Sequence, residues 1–352
     1  MAEYAGHYIS LPVSFSRNFR KALVKTGMSI LRGNPGENPV LDFARSTAAG
    51  LAVLPRRLEY RFLYDARGSA LFERITRQPE YYLTRTETSI LEAHAGHIRE
   101  ITGPVALVEF GSGSSVKIEY LLQAWLSQGS AVNYIPVDVS ISALRRACRA
   151  ITRSSSAVRV VGVNVDYYEA FPLLREASPV MVLFLGSSIG NFRPKEMDDF
   201  LTTLSASLSP HDYFLLGIDL VKKRRLLEAA YNDAAGITAE FTRNLFARMD
   251  RELLSGIDLS VVEHVAGCNQ AVEQIEIFAR FAREQTVRIA PLGKEFTIGK
   301  DEMIQTEICR KFRLEEFVRY IEAFGFTAKG IFTDERRWFA LLLLSRSAPL
   351  NK

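Results

Sequence analysis

The sequence predicts an α/β fold: a mostly parallel sheet with helices on both faces, joined by a second, discontinuous α+β unit. Three observations carry this expectation. From residue 105 onward, apolar runs of strand length alternate with segments of helical periodicity. The first three of these runs lead in turn to an acid: Glu109, Asp138 and Asp166. Near residue 221 the alternation gives way to helices and near-alternating strands, before apolar runs resume at the C-terminus.

Composition bounds the rest. A chain of 352 residues has room for two domains. Its 47% apolar and 24% charged residues are those of an ordinary globular protein. With 44 basic and 40 acidic residues the net charge is +4, so neither a nucleic acid nor an obligatory membrane partner is expected. Cys148, Cys268 and Cys309 lie far apart and show no metal-ligand spacing. Their odd number and the lack of a signal peptide point to a reducing cytoplasm. His94 and His97 share a helix without further ligands nearby, so no metal is expected. No apolar run reaches membrane-spanning length. A monomer acting on a small molecule is the expectation.

In chain order, residues 1–36 read as an N-terminal extension. Arg17, Arg20, Lys21, Lys25 and Arg32 interleave with Phe19, Leu23, Val24, Met28 and Leu31. This suits either a helix packed on the body with a solvated basic face or a membrane-surface helix. Gly33-Asn34-Pro35-Gly36 is a break. From Glu59, Phe62, Leu63, Leu71, Phe72 and Ile75 form an apolar set that Pro79 ends. Thr84 and Glu87 fit a capping box for the helix carrying Ile90, Leu91 and Ile98. Tyr64, Tyr81 and Tyr82 flank these breaks, as packing residues or as polar groups around a pocket.

The stretch VALVEFGSGSSVKIEYLL, 105–122, reads as buried strand, glycine turn and helix. Gly111 and Gly113 let the backbone turn sharply and admit a ligand, and the helix start offers free N–H groups. A dinucleotide site wants G-x-G-x-x-G, and Val116 occupies the third glycine position. This disfavours a nicotinamide or flavin oxidoreductase. S-adenosylmethionine fits better: Asp138, ending strand 133–137, suits two ribose hydroxyls, and Asp166-Tyr167, after strand 158–163, suit an adenine amino group and a stacking ring. Gly186 to Phe192, GSSIGNF, follows strand 180–185 at the sheet edge where ligands sit. Asn191 there offers both a donor and an acceptor.

Strand 213–218 ends at Asp219. Residues 226–231 and 235–254 are helical, and 274–283 with 286–289 read as an antiparallel pair. Residues 295–311 lead back to the sheet, 314–324 form an amphipathic helix, and 330–332 with 337–345 close the sheet. FALLLLS has no alternation, so it is buried on both faces. The expected division is 37–85 plus 221–310 for the second unit, and 86–220 plus 311–352 for the sheet domain.

YDARGSALFERITRQPEYYLTRTE, EFGSGSSVK, YIPVDVS, FLGSSIGN, YNDAAGITAEFTRNL and TEICRKF resemble, in collinear order over about 47–345, the histidine-specific S-adenosylmethionine-dependent methyltransferases of ergothioneine biosynthesis. The resemblance implies a Rossmann-like class I methyltransferase domain with a mostly parallel seven-stranded sheet, a substrate-binding domain, and conversion of L-histidine to its trimethyl betaine, hercynine. It implies a cofactor site of Gly111, Gly113, Lys117, Asp138, Asp166 and Tyr167. For the amino acid's amine and carboxylate it implies Tyr64, Tyr81, Gly186, Asn191 and Tyr231, with Tyr64 and Asn191 nearest the chemistry. For the side chain it implies Glu307, Ile308 and Cys309. Related members act on tryptophan derivatives and tyrosine. The family's histidine enzymes usually carry serine at position 309, and a thiol is a weaker hydrogen-bonding group than a hydroxyl. An Nα-methyltransferase of another aromatic amino acid is therefore the alternative.

Overall fold

The computed structural model describes residues 11–33, 38–113, 116–129 and 131–346. Residues 34–36 of the early break and the turn residues Ser114 and Ser115 lie outside them. In chain order the elements begin with α1 (Val13–Val24), β1 (Met28–Arg32), α2 (Pro39–Leu51), α3 (Ala66–Ile75) and α4 (Tyr82–Thr102). The alternating region follows as β2 (Ala106–Phe110), α5 (Val116–Leu126), β3 (Val132–Val137), α6 (Ile141–Ser154), β4 (Val158–Asn164), α7 (Tyr167–Ala177), β5 (Val180–Phe184), α8 (Pro194–Ser207) and β6 (Tyr213–Asp219). The insertion comprises α9 (Arg224–Ala230), α10 (Ile237–Leu253), β7 (Val262–Asn269), β8 (Gln274–Phe281), β9 (Gln285–Ile289), β10 (Lys294–Ile298) and β11 (Met303–Arg310). The chain closes with α11 (Leu314–Glu322), β12 (Phe326–Thr333) and β13 (Phe339–Arg346).

The main sheet runs β1-β4-β3-β2-β5-β6-β13-β12, parallel from β1 to β6 and antiparallel at β13 and β12. The seven strands implied by the resemblance are there, and β1 adds an eighth at the edge. Residues from the sheet and from α1, α7, α8 and α11 form the core on one face; α4, α5 and α6 cover the other. The order reverses at β2, flanked by β3 and β5, which opens a crevice at the C-terminal strand ends.

Helix α1 of the N-terminal segment contributes to this core. Phe15, Phe19 and Ala22, spaced along one helical face, are buried against α7 and the sheet. Burying two phenylalanines contributes roughly 1.5–3 kcal/mol each. Arg20 reaches Glu176 at 3.3 Å. The Phe15–Phe19–Ala22 stripe is thus taken by the protein itself, as in the packed-helix reading, while Val13 and Val24 stay exposed. Among the described residues, no helix is long and apolar enough to cross a membrane.

A second core gathers residues from α2, α3, the start of α4, α9, α10 and the strands of the insertion. Here one expectation is corrected. Residues 274–283 and 286–289 do not pair with each other: β8 is filled on both edges by β7 and β11, so β9 folds back on β10 instead. Beyond β11, the Phe312 N–H donates to the Asp219 carbonyl at 2.9 Å, stitching the insertion to the end of β6.

Candidate active site

The expected cofactor residues converge on the crevice beside β2. Gly111 and Gly113 take φ of +75° and +47°, a left-handed path open to glycine, and a side chain at Gly111 would meet the Tyr167 hydroxyl at 3.4 Å. Asp138 accepts the Ser140 N–H at 2.8 Å and faces the N–H groups of Ser112 and Gly113 across the turn. Burial pushes its carboxyl up to about 6 against those bonds. Asp166 caps α7, accepting the Glu169 N–H at 2.8 Å, which leaves one oxygen free of that capping bond. The Tyr167 ring lies over Phe110, centroids 5.3 Å apart, with its hydroxyl toward Gly111. Glu109 is no loop acid: it is buried, receives the Tyr134 hydroxyl, and burial pushes its carboxyl up to about 7. A turn with glycine at 111 and 113, flanked by carboxylates and a phenol, fits the hydroxyl- and amine-bearing nucleoside of S-adenosylmethionine.

Glu87 is a residue that sequence reasoning misassigned. α4 begins at Tyr82, so Thr84 and Glu87 form no capping box. Glu87 is instead fully buried, and its carboxylate accepts the Gly186 N–H at 2.7 and 3.0 Å and Lys117 Nζ at 2.7 Å. It ties the helix after the glycine turn to the loop after β5, and so joins the two halves of the site. Nothing in the sequence near Glu87 signals a partner 99 residues away.

The loop after β5 turns through Gly186 (φ +76°) and Ser187 (φ +58°) into a short helical turn, Ser188–Asn191. That turn presses on β11: a side chain at Gly190 would lie 2.8 Å from the Arg310 carbonyl oxygen. The contact delivers Asn191, whose Nδ2 donates to Glu307 Oε1 at 2.9 Å and to the Ile308 carbonyl at 2.8 Å and lies 3.5 Å from Cys309 Sγ. With both amide hydrogens on β11, Asn191 offers a ligand its carbonyl oxygen, an acceptor. Burial raises the Glu307 carboxyl to about 7, against the pull of Asn191, Cys309 and Lys311.

The expected tyrosines surround the same point. Tyr81 and Tyr231 are buried, their rings 6.2 Å apart. Glu307 and Cys309 lie within electrostatic reach of Tyr64 and Tyr81, and Cys309 of Tyr231. Burial, then these neighbours, raises all three phenols well above their ordinary value. Tyr64 is therefore a neutral hydroxyl at physiological pH.

Beneath them lies a network the sequence reading also passed over. Asp219, fully buried, receives Lys311 Nζ at 2.8 Å, the Tyr82 hydroxyl at 2.7 Å, and Lys222. Burial pushes the Asp219 carboxyl up, and the two lysines outweigh it and hold it low. Asp219 carried the same strand-end signal as Asp138 and was readable on that basis. A separate groove of about 420 Å³ is lined by Leu314, Glu315, Val318, Arg319 and Ile331, none of them among the site residues above.

A glycine turn between strand-end acids on a Rossmann-like sheet, facing a second unit that closes polar groups over it, defines an S-adenosylmethionine-dependent small-molecule methyltransferase. More narrowly, the chain belongs to the histidine-specific, S-adenosylmethionine-dependent methyltransferase family, whose model matches residues 43–346. It is 40% identical over 302 residues to the histidine N-alpha-methyltransferase of Mycolicibacterium smegmatis, covering 86% of this chain and 94% of that protein. Its counterpart from Mycobacterium tuberculosis is 37% identical, covering 87% and 95%. The 4-dimethylallyltryptophan N-methyltransferase easF of Claviceps purpurea is 26% identical over 80% of this chain and 84% of that protein.

Proposed function

We propose that this protein transfers methyl groups to the α-amino nitrogen of L-histidine, yielding hercynine, with residues 37–85 and 221–310 as the substrate-binding domain and 86–220 and 311–352 as the methyltransferase domain. The observation that carries the side-chain assignment is Asn191 drawing Glu307, Ile308 and Cys309 to one point beside the Gly186 loop. An imidazole N–H finds its acceptor in Glu307, with the Cys309 thiol alongside. Tryptophan's larger ring, whose one N–H sits elsewhere, leaves that carboxylate with the Asn191 bond but without a ring donor, which is costly in a desolvated site.

S-adenosylmethionine, when bound, supplies an electrophilic methyl on a sulfonium. Gly111, Gly113, Asp138, Asp166, Tyr167 and Lys117 are the residues that would hold it. The protein's own work is positioning and proton management. Asn191 presents a carbonyl oxygen suited to an amine N–H, so the amine end of the substrate belongs there and the carboxylate end at Tyr231. A water held by Tyr64 takes the amine proton toward solvent, since that phenol stays neutral. Gly186, fixed by Glu87, sets the distance between the two ligands. The protein acts as a monomer in a reducing cytoplasm, where its three cysteines remain thiols.

The test is a panel of amino acids with labelled S-adenosylmethionine, products identified by mass spectrometry. Histidine carried to its trimethyl betaine is expected. Preference for tryptophan or tyrosine would overturn the substrate assignment, and a monomer should be recorded by light scattering.

A further inference from the structure

Two tyrosines in the second core sit against two lysines, and their surroundings differ in one respect. Lys222 Nζ donates to the Tyr82 hydroxyl at 2.9 Å, and that hydroxyl passes its own proton to Asp219 at 2.7 Å. Tyr82 is thus satisfied as acceptor and as donor. Lys311 Nζ donates to the Tyr231 hydroxyl at 2.9 Å and to Asp219 at 2.8 Å. An ammonium has no lone pair, so Tyr231 must accept, and its single proton must point elsewhere. The group within hydrogen-bond reach of it is the Cys309 sulfur, a weak acceptor.

The rest of Tyr231 is fixed too. His264 Nε2 lies 2.9 Å from the Tyr231 carbonyl, which only accepts, so Nε2 carries the proton and Nδ1 accepts from Thr242 at 2.8 Å. Lys311 is itself held by its N–H on the Glu273 carbonyl at 2.8 Å and is almost wholly buried.

We infer that Lys311 is a positioning residue that makes Tyr231 an obligate hydrogen-bond donor toward the substrate, so that the site selects a free α-carboxylate over a neutral carboxamide at that end. This rests on the substrate orientation proposed above. A carboxylate replaces the thiol sulfur as acceptor and gains a charge-assisted bond. A carboxamide oxygen accepts more weakly, and its NH2 meets a hydroxyl that cannot turn to accept it.

The experiment compares L-histidine with L-histidinamide on wild type, Lys311→Met, Tyr231→Phe and the double variant, with S-adenosylhomocysteine affinity as a control. Because histidinamide has the more weakly basic amine, the informative quantity is how the histidine-to-histidinamide ratio of kcat/KM changes between variants. Lys311→Met should raise the histidine KM about tenfold, the scale of one charge-assisted hydrogen bond, with kcat and cofactor affinity little changed. The ratio should fall by a similar factor in Tyr231→Phe, and adding Lys311→Met to that background should change it less than about twofold. A merely structural lysine would depress both substrates alike. Equal loss on both substrates, or additive effects in the double variant, overturns the inference. If Lys311→Met does not fold, an unchanged ratio in Tyr231→Phe does so. Wild type that ignores histidine but methylates another amino acid refutes the substrate assignment instead, and the acid-to-amide ratio is then read on that amino acid.

Discussion

Replacing Glu307 by glutamine separates what this residue does for binding from what it costs the fold. Burial lifts its carboxyl from 4.5 to about 7, even with Asn191, Cys309 and Lys311 pulling it down. The folded protein therefore holds a proton that the unfolded chain releases between those two values. Below pH 4.5 both states are protonated and stability is full. Stability declines as pH rises toward 7 and stays reduced above it. At roughly 1.4 kcal/mol per pH unit the full cost is about 3 kcal/mol. The side chain borders the cleft, so water screens part of this and about 1–3 kcal/mol is the working range. Glu307→Gln keeps an oxygen for Asn191 and removes the charge. At pH 8 the variant should be more stable than wild type by that amount, a rise in Tm of about 1–4 °C for a chain of this length. At pH 4.5 the two should unfold together. Histidine use should fall about tenfold in kcat/KM at pH 8, because a neutral amide accepts the imidazole N–H less strongly than a carboxylate. Thermal unfolding at both pH values and steady-state kinetics supply the readouts. Equal melting differences at both pH values, or undiminished histidine use, would refute the reasoning.

Asp138→Ala should weaken S-adenosylhomocysteine binding by roughly 1.5–3 kcal/mol for each charge-assisted bond lost, measured by isothermal titration. Since its carboxyl titrates at about 6, wild-type affinity should also decline below that pH, and an unchanged affinity in the variant would remove Asp138 from the cofactor site. Glu87→Ala orphans the half-buried Gly186 N–H and frees Lys117, so cofactor affinity should drop about tenfold, with a smaller loss in Glu87→Gln. A fall in Tm without change in affinity would make Glu87 structural only. Cys309→Ser should tighten histidine by about 1 kcal/mol, because a hydroxyl bonds a ring nitrogen better than a thiol. Weaker histidine use in that variant would mark a pocket shaped for another side chain.

Most of the sheet was legible because period and punctuation are local signals. The apolar run before Glu109, the glycine turn and the acid at Asp138 each report on the backbone they sit in. What escaped depended on contacts distant in sequence. Thr84 and Glu87 matched a capping pattern, yet the helix starts two residues earlier and Glu87 turns inward to a loop 99 residues on. β8 and β9 looked like a hairpin, but β11, far along the chain, takes the free edge of β8. β1 was too short and mixed to distinguish from an extended arm; only β4 alongside makes it a strand. The site follows the same division. Asp138 and Asn191 were readable from position, whereas Glu307, Cys309 and Tyr231 rested on resemblance, and Lys311 had no local mark.

The segment from Glu307 to Lys311 shows why resemblance was needed there. In an extended chain, positions 307, 309 and 311 share one face. Here those side chains meet, in order, Asn191, the Tyr231 hydroxyl and Asp219. One strand therefore spans the site from the expected ring end to the expected carboxylate end. Its register is set by a bulge between Gln305 and Glu307, where Thr306 is bypassed in the pairing with β8 and bonds the Ile277 carbonyl. An extra residue in a strand exchanges its two faces beyond that point. Without it, the alternation that buries Ile304 would carry Glu307, Cys309 and Lys311 to the opposite side. A sequence read alone shows the spacing of two between these residues but not which face they take. That is decided by the bulge, and the resulting face is matched by Gly190 against the Arg310 backbone and by Asp219 at the strand's end.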